Sequence, residues 1–111
     1  MSPTQRSLKK LRDEGYTCAI TERWNAHAKI RQDLFGFIDV LAFNDLITLA
    51  VQTTSGDNVS ARIQKIMALP AARAWATGNI FRSIVVHGWR KVGPRGKRKV
   101  WECREVPIEF P

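Results

Sequence analysis

The sequence predicts a single α/β domain in which one central mixed β-sheet is flanked by helices. The chain has 111 residues, which is enough for one domain but not for two. Its hydrophobic fraction of 44% is ordinary for a globular protein. Segments with the apolar spacing of helices alternate with short apolar runs typical of strands. The predicted order is α-β-β-β-α-(α)-β-β, which favours helices packed on one sheet.

The N-terminal segment predicts a helix followed by a short strand. In residues 4–14, Leu8 and Leu11 lie on one helical face, and Gly15 suits the position that ends a helix. Residues 16–20 then alternate in the manner of a strand.

The central segment predicts a hairpin of apolar strands. Residues 24–29 show no clear pattern and are assigned to a loop. Residues 34–43 form an apolar run that is interrupted by one charged residue, Asp39. Such a run predicts a strand buried on both faces. Turn-forming residues at 44–45 separate this run from a second apolar strand at 46–52.

A helix with one polar face is predicted after the hairpin. Residues 53–56 break the strand pattern, and Asp57 is a suitable N-cap for a helix over residues 58–69. Three polar residues recur on one face of that helix, at i, i+4 and i+7. They are Asn58, Arg62 and Lys65.

The C-terminal part predicts a short helix and two further strands. Pro70 is suited to begin a helix over 71–77, which Gly78 ends. Residues 81–87 are rich in β-branched side chains and predict a strand. A turn at 93–96 leads into a final strand at 99–106.

The charge is concentrated near the C-terminus. Of the net charge of +8, residues 82–104 carry +7, from eight basic residues and one acid. Residues 33–57 hold four aspartates and no Lys or Arg. A basic flank beside an acidic centre favours a polyanionic partner, most commonly nucleic acid, with a cation held nearby. The alternative is that the basic run is a solvated hairpin tip.

Other classes of protein are disfavoured by what the sequence lacks. No run of about 18 apolar residues is present, so no membrane span or membrane partner is expected. The first residues do not form the apolar stretch of a secretory signal. Cys18 and Cys103 are too few for a disulfide scaffold and lack zinc-site spacing. We therefore expect a cytoplasmic protein.

Asp39 is a charge inside an apolar run, and Gln52 ends the strand predicted to pair with it. A buried carboxylate needs a metal, a cation or hydrogen-bond donors, because burying it alone costs several kcal/mol. In a hairpin that turns at 44–45, the two side chains lie side by side. An acid and an amide oxygen there suit Mg²⁺. The alternative for Asp39 is an ion pair with Arg31 or Arg23.

These features resemble the core of the PD-(D/E)XK nuclease superfamily, especially its small Holliday-junction-resolvase-like and phage nucleases. The resemblance rests on the order of elements, on the Gly-Phe-Ile-Asp39 segment and on the polar triplet Gln52-Thr53-Thr54 after an apolar strand. It covers roughly residues 5–86. It implies an αβββαβ nuclease core, followed here by a C-terminal basic β-hairpin.

The resemblance also implies an active site. Asp39 matches the metal-binding aspartate, and Gln52 stands where the second acid normally lies. Thr54 stands in place of the lysine, whose charge a hydroxyl cannot replace. A cation from elsewhere in the chain would then have to take the place of this lysine. The candidates are Lys65 or Arg62 on the following helix, and Lys29 before the motif. The N-terminal acid that often completes such sites would be Glu22 or Asp33.

The predicted nucleic-acid surface is the basic hairpin and the adjoining helix face. Trp89 and Trp101 flank the basic turn, where aromatic rings beside cations often stack on bases. Cross-strand packing of the two rings is the alternative. The candidate binding residues are Arg62, Trp89, Arg90, Lys91, Arg95, Lys97, Arg98, Lys99 and Trp101.

The first functional hypothesis is a DNA endonuclease that uses Mg²⁺ or Mn²⁺ to hydrolyse phosphodiesters, or a degenerate descendant of one. DNA is favoured over RNA as the partner, and the resemblance implies a homodimer. One alternative is a non-catalytic nucleic-acid-binding module on the same fold. Another is a small basic adaptor or inhibitor that binds an acidic protein.

Overall fold

A five-stranded mixed sheet with helices on both faces forms the body of the protein in the computed structural model, which describes residues 1–111. The strand order is β1-β4-β5-β6-β7, and only β5 and β6 pair in parallel. The prediction of a mixed α/β sheet is therefore confirmed. The helices are α1 (Pro3–Asp13), α2 (Val59–Met67) and α3 (Pro70–Thr77). The strands are β1 (Thr17–Ile20), β2 (Arg23–Asn25), β3 (Ile30–Gln32), β4 (Val40–Phe43), β5 (Thr48–Ser55), β6 (Arg82–Val92) and β7 (Val100–Ile108).

The two faces of the sheet are covered by different helices. On one face, Leu8 and Leu11 of α1 pack with a cluster that includes Val51. On the other, α2 and α3 pack with a cluster that includes Ala50 and Ile84. Neighbouring residues of β5 thus point into different cores, as the pleat of a strand requires. This makes β5 a central strand that is buried on both sides.

The predicted first helix is confirmed, and its ends have simple causes. The Ser2 hydroxyl accepts a hydrogen bond from the backbone N–H of Gln5 at 3.1 Å, which caps the N-terminus. Pro3 occupies the first turn, where its missing N–H costs nothing. Gly15 adopts a φ of +94°, the left-handed conformation that ends many helices.

The prediction of a continuous strand over residues 34–43 is wrong, because only Val40–Phe43 is extended. Residues 34–38 form a tight turn closed by an antiparallel bridge between Leu34 and Ile38. The turn buries apolar side chains without being a strand, and periodicity alone does not separate these two cases. Asp39 therefore precedes a strand instead of ending one.

The assignment of residues 24–29 to a loop is also wrong. The strands β2 and β3 pair as an antiparallel hairpin that forms a separate two-stranded sheet. The hairpin starts directly after Glu22 and ends directly before Asp33. Its strands are three residues long and largely exposed, so no alternating pattern marks them in the sequence.

Two strands end later than predicted, and the first of them also begins later: β5 starts at Thr48, so the connection after β4 is residues 44–47 and not a turn at 44–45. The pattern at residues 53–56 does not end the strand, since β5 continues to Ser55 and buries Thr53 and Thr54. The strand predicted at 81–87 extends to Val92 in β6. Parallel pairing with β6 keeps β5 extended to Ser55, and antiparallel pairing with β7 keeps β6 extended to Val92. A local reading of the sequence cannot detect either long-range pairing.

The predicted N-cap of α2 is wrong, although the helix is present. A single 3₁₀ turn, Gly56–Asn58, precedes α2, and the capping residue is Asn58, which makes no side-chain capping bond. Gly88 of β6 permits this arrangement, because a Cβ there would clash with a methyl group of Val59. The close approach places the start of α2 over the end of the sheet. The following helix, α3, ends at Gly78 as predicted.

The chain contains no helix with the length and apolar character needed to cross a membrane. The longest helix is α1, with 11 residues. A helix needs about 20 predominantly apolar residues to span the hydrocarbon core of a bilayer.

Candidate active site

The candidate site lies at the edge of the sheet where β1 and β5 end and β4 begins. The backbone N–H of Asp39 donates to the carbonyl of Val51 at 2.9 Å, which sets Asp39 opposite Gln52. The Asp39 carbonyl in turn accepts from the N–H of Thr21 at 2.8 Å. The predicted side-by-side placement of Asp39 and Gln52 is thus observed.

Three carboxylates converge at this edge. One oxygen from each of Glu22, Asp33 and Asp39 lies within 4.8 Å of the others. Glu22 follows β1, Asp33 follows β3 and Asp39 precedes β4, so three separate segments deliver one acid each. Both acids that the sequence offers as alternatives are therefore brought to the cluster together.

Asp39 is the buried member of the cluster, with 2% of its surface exposed. Its Oδ2 accepts from the backbone N–H of Thr53 at 2.8 Å, from the Thr53 hydroxyl at 3.2 Å and from the Gln52 amide. Its Oδ1 is buried without a hydrogen-bond partner. None of the ion pairs in the chain involves Asp39, so the suggested pairing with Arg31 or Arg23 does not occur.

The protonation states of the two aspartates are linked by their proximity. Burial, together with the neighbouring Asp33, raises the pKa of Asp39 to about 8. Burial also acts against ionisation of Asp33, but the neighbouring Asp39 together with hydrogen bonds from Gln52 and Lys65 outweighs it and lowers the pKa of Asp33. One negative charge is therefore favoured on the pair at neutral pH unless a further cation is present.

Gln52 joins the acids to a lysine. Its Nε2 donates to Asp39 and, at 3.1 Å, to Asp33. Its Oε1 accepts from Lys65 Nζ at 3.3 Å. Gln52 thus bridges the carboxylates as a hydrogen-bond donor, while its oxygen faces the ammonium group.

Lys65 is the candidate lysine that reaches the cluster. Its Nζ lies 3.1 Å from Oδ2 of Asp33, and its side chain extends from the predicted polar face of α2. Lys29 instead occupies the turn of the β2–β3 hairpin and does not line the cleft described next. Thr54, which the resemblance places at the position of the family's lysine, is buried in β5 and does line it.

The cluster opens into a cleft of about 1400 Å³ with a mixed charged lining. Besides the three acids, the cleft is lined by four cationic side chains. Those cations are Arg23, Arg31, Arg62 and Lys65. An acidic floor with a basic rim can hold a metal ion and an anionic ligand at the same time. The sequence suggests Arg23 and Arg31 only as ion-pair partners of Asp39, because it does not predict the β2–β3 hairpin that carries them.

The other predicted nucleic-acid residues lie on the β6–β7 pair and its connection. Because Ser55, the last residue of β5, pairs with Trp89, the next three residues of β6 continue past the edge of the sheet. Arg90 and Lys91 lie on that extension. The segment that connects β6 to β7, residues 93–99, carries four further basic residues: Arg95, Lys97, Arg98 and Lys99. This basic extension projects from the same sheet edge as the acidic cluster.

Trp89 and Trp101 are engaged with α1. The indole N–H of Trp89 donates to Ser7 Oγ at 2.9 Å. The guanidinium of Arg6 lies 3.8 Å from the centre of the Trp101 ring, a cation–π contact. The alternative of cross-strand packing between the two rings is wrong, because Trp89 pairs with Cys103 and Trp101 with Lys91. Each contacts α1 instead, and Trp101 remains 42% exposed.

The site combines carboxylate oxygens, an amide and an ammonium group in an open cleft. Hard cations such as Mg²⁺ prefer oxygen ligands, and phosphates bind ammonium and guanidinium groups. No protein-family model, curated protein or solved structure matches the chain. Its function is therefore inferred from the geometry of the site.

Proposed function

We propose that the chain is a metal-dependent DNA endonuclease of the PD-(D/E)XK type, which hydrolyses phosphodiester bonds in the cleft. The observation that carries the proposal is the convergence of Glu22, Asp33 and Asp39 within 4.8 Å, with Lys65 bonded to Asp33. The sheet supports it further, because β1, β4, β5 and β6 with α1 and α2 are compatible with an αβββαβ nuclease core.

The donor set fits a divalent cation. Asp39 Oδ1 is buried without a partner, and a cation would satisfy it. Glu22, Asp33 and Asp39 would hold Mg²⁺ or Mn²⁺ through oxygens, which these hard ions prefer. Gln52 would join them only after its amide rotates, because its N–H groups point at Asp33 and Asp39 and its oxygen accepts from Lys65. When bound, such an ion lowers the pKa of a water molecule and offsets charge that develops on the phosphate.

The remaining residues act on the nucleic acid. The Lys65 ammonium is placed to donate to a phosphate oxygen, because it already donates to two oxygens at the cluster. Arg23, Arg31 and Arg62 line the same cleft and would bind flanking phosphates. These contacts would fix the position of the DNA strand over the carboxylates, and correct positioning of the substrate is a large part of catalysis.

The proposal is tested by nicking of supercoiled plasmid and branched DNA in Mg²⁺ or Mn²⁺. We expect cleavage by the unaltered protein, and a loss of about 100-fold or more in Asp39→Asn, whose carboxyl charge is removed without a change of shape. The matched control is Asp45→Asn, at an exposed turn on the opposite edge of the sheet. Equal activity of Asp39→Asn and the unaltered protein would contradict the proposal.

A second candidate is a non-catalytic nucleic-acid-binding module on the same fold. It is favoured by Thr54 at the motif lysine position and by the Gln52 amide, which directs its N–H groups at the acids. DNA binding that persists without cleavage in either metal would select this candidate. Binding should then be insensitive to Asp39→Asn.

A further inference from the structure

Phe35 is an aromatic residue placed where it opposes the stability of the fold. Its side chain is 64% exposed and lines the cleft. Its φ is +55°, a left-handed conformation that bulky residues rarely adopt. Exposure and backbone conformation are both unfavourable for phenylalanine, and asparagine or glycine would suit the position better. Such a residue is a candidate for a functional role.

The turn that carries Phe35 is firmly held. Leu34 and Ile38 exchange two backbone hydrogen bonds, each of 3.0 Å. Phe37 and Ile38 are fully buried in the core between the sheet and α2 and α3. The phenyl ring is thus presented from an anchored tip, so little conformational entropy is lost when a ligand covers it.

The neighbours of Phe35 suit a nucleotide. Asp33 of the acidic cluster lies two residues before it, and Arg23 and Arg31 line the same cleft. Guanidinium groups bind phosphates, while an exposed ring offers a surface on which a base can stack. A base inside a continuous duplex is already stacked on both faces, so only an unpaired base can use the ring.

We propose that Phe35 stacks on an unpaired base beside a phosphodiester that the cationic side chains of the cleft hold next to the acidic cluster. The preferred substrate class is then DNA with unpaired bases at the cleft, such as a fork, a flap or a single strand, and not continuous duplex. This inference rests on the proposed function, because it assigns the substrate of that same site.

The test compares Phe35→Asn with the unaltered protein in EDTA, where binding is measured without cleavage. Fluorescence anisotropy gives the affinity for a forked DNA and for a blunt duplex with the same number of phosphates. We expect about a tenfold loss of affinity for the fork, which corresponds to the removal of one base–aromatic stack, and no comparable loss for the duplex. The thermal midpoint should not fall, because asparagine tolerates the left-handed conformation.

Two further variants make the test specific. Phe35→Trp should retain affinity for the fork, because it keeps a stacking ring. The matched control is Phe81→Asn, which removes a ring that is 59% exposed at the opposite edge of the sheet. Phe81→Asn should bind both DNAs like the unaltered protein.

Each outcome separates this inference from the nuclease proposal. Equal losses on fork and duplex, or no loss on either, would overturn the stacking role even if the protein cleaves DNA. A selective loss on the fork together with no cleavage in Mg²⁺ or Mn²⁺ would retain the stacking role and refute the nuclease.

Discussion

In the proposed nuclease, Lys65 takes the place of the motif lysine that Thr54 replaces, and its removal tests this role. Its Nζ lies 3.1 Å from Asp33 and 3.3 Å from the oxygen of Gln52. We expect Lys65→Met to lower the rate of DNA cleavage by about 10²–10³, the usual effect of removing one donor that stabilises transition-state charge. The free energy of unfolding should change by less than about 1 kcal/mol, because the lysine is 39% exposed.

The matched control for this prediction is Lys29→Met. Lys29 is the other lysine suggested by the motif, but it lies in the hairpin turn outside the cleft. Single-turnover cleavage of the two variants gives the comparison directly. A large loss in Lys29→Met with normal cleavage by Lys65→Met would reverse the assignment.

The residues of the cluster are easier to predict from sequence than those of its rim. Asp39 and Gln52 can be placed close together because both belong to one predicted hairpin, but their exact register is set by a four-residue connection, residues 44–47, and not by a turn at 44–45. Lys65 follows from helical spacing. The cleft positions of Arg23 and Phe35 cannot be predicted, because they depend on a hairpin and a turn that leave no periodic signal.

At the scale of elements, the main errors in the predicted strand boundaries arise where residues are buried without forming a strand, or form a strand that the local sequence does not indicate. Phe37 and Ile38 are fully buried, and an apolar run of that kind resembles a strand. Their burial is instead achieved by a turn, in which Gly36 takes a φ of +84°. Conversely, Thr53 and Thr54 resemble the end of a strand but continue β5, because β6 pairs with it to Ser55. Tertiary pairing overrides local pattern in both cases.

The contact between α1 and β6 includes a buried histidine that makes stability depend on pH. Ser7 Oγ bonds to His87 Nδ1 at 2.8 Å and accepts from Trp89. His87 is fully buried, and its Nε2 lies 3.3 Å from Glu105 but outside hydrogen-bond geometry. Burial, with a smaller contribution from Lys10, lowers the pKa of His87 to about 4, although Glu14 acts in the opposite direction.

The sign of the pH effect follows from this lowered pKa. The unfolded chain takes up a proton on His87 as the pH falls below 6.5, whereas the folded protein does so only near pH 4. The contribution of His87 to stability is therefore lost between these pH values, by up to about 3 kcal/mol. Because the raised pKa of Asp39 makes stability rise as the pH falls through the same range, the decline due to His87 is measured as a difference between the unaltered protein and a variant without this histidine, by urea unfolding between pH 7 and pH 4.

Two glutamine variants isolate the histidine from the carboxylates that also titrate at low pH. Between pH 6.5 and pH 4, the unfolding free energy of the unaltered protein should fall relative to that of His87→Gln. His27→Gln, at the exposed turn of the β2–β3 hairpin, should retain the original slope. Parallel profiles for His87→Gln and the unaltered protein would show that His87 is not the group responsible.

At the scale of the whole molecule, the charge and the cleft meet at one edge of the sheet. Most of the net charge of +8 comes from residues 82–104, and β6 carries part of them past the end of β5. The same edge bears the three acids and the arginines of the cleft. A nucleic acid could therefore contact the basic extension while its backbone crosses the acidic cluster.

The last prediction separates a binding surface from the effect of net charge alone. Arg98→Ala/Lys99→Ala in the β6–β7 connection and Lys9→Ala/Arg12→Ala on α1 each remove two positive charges, which changes the net charge from +8 to +6. If the extension binds phosphates, only the first variant should reduce the slope of log Kobs against log salt concentration, by about 0.7 for each single-strand phosphate that the protein no longer neutralises. Equal reductions in both variants would show that the extension has no special role, because the DNA would then respond only to the overall charge of the protein.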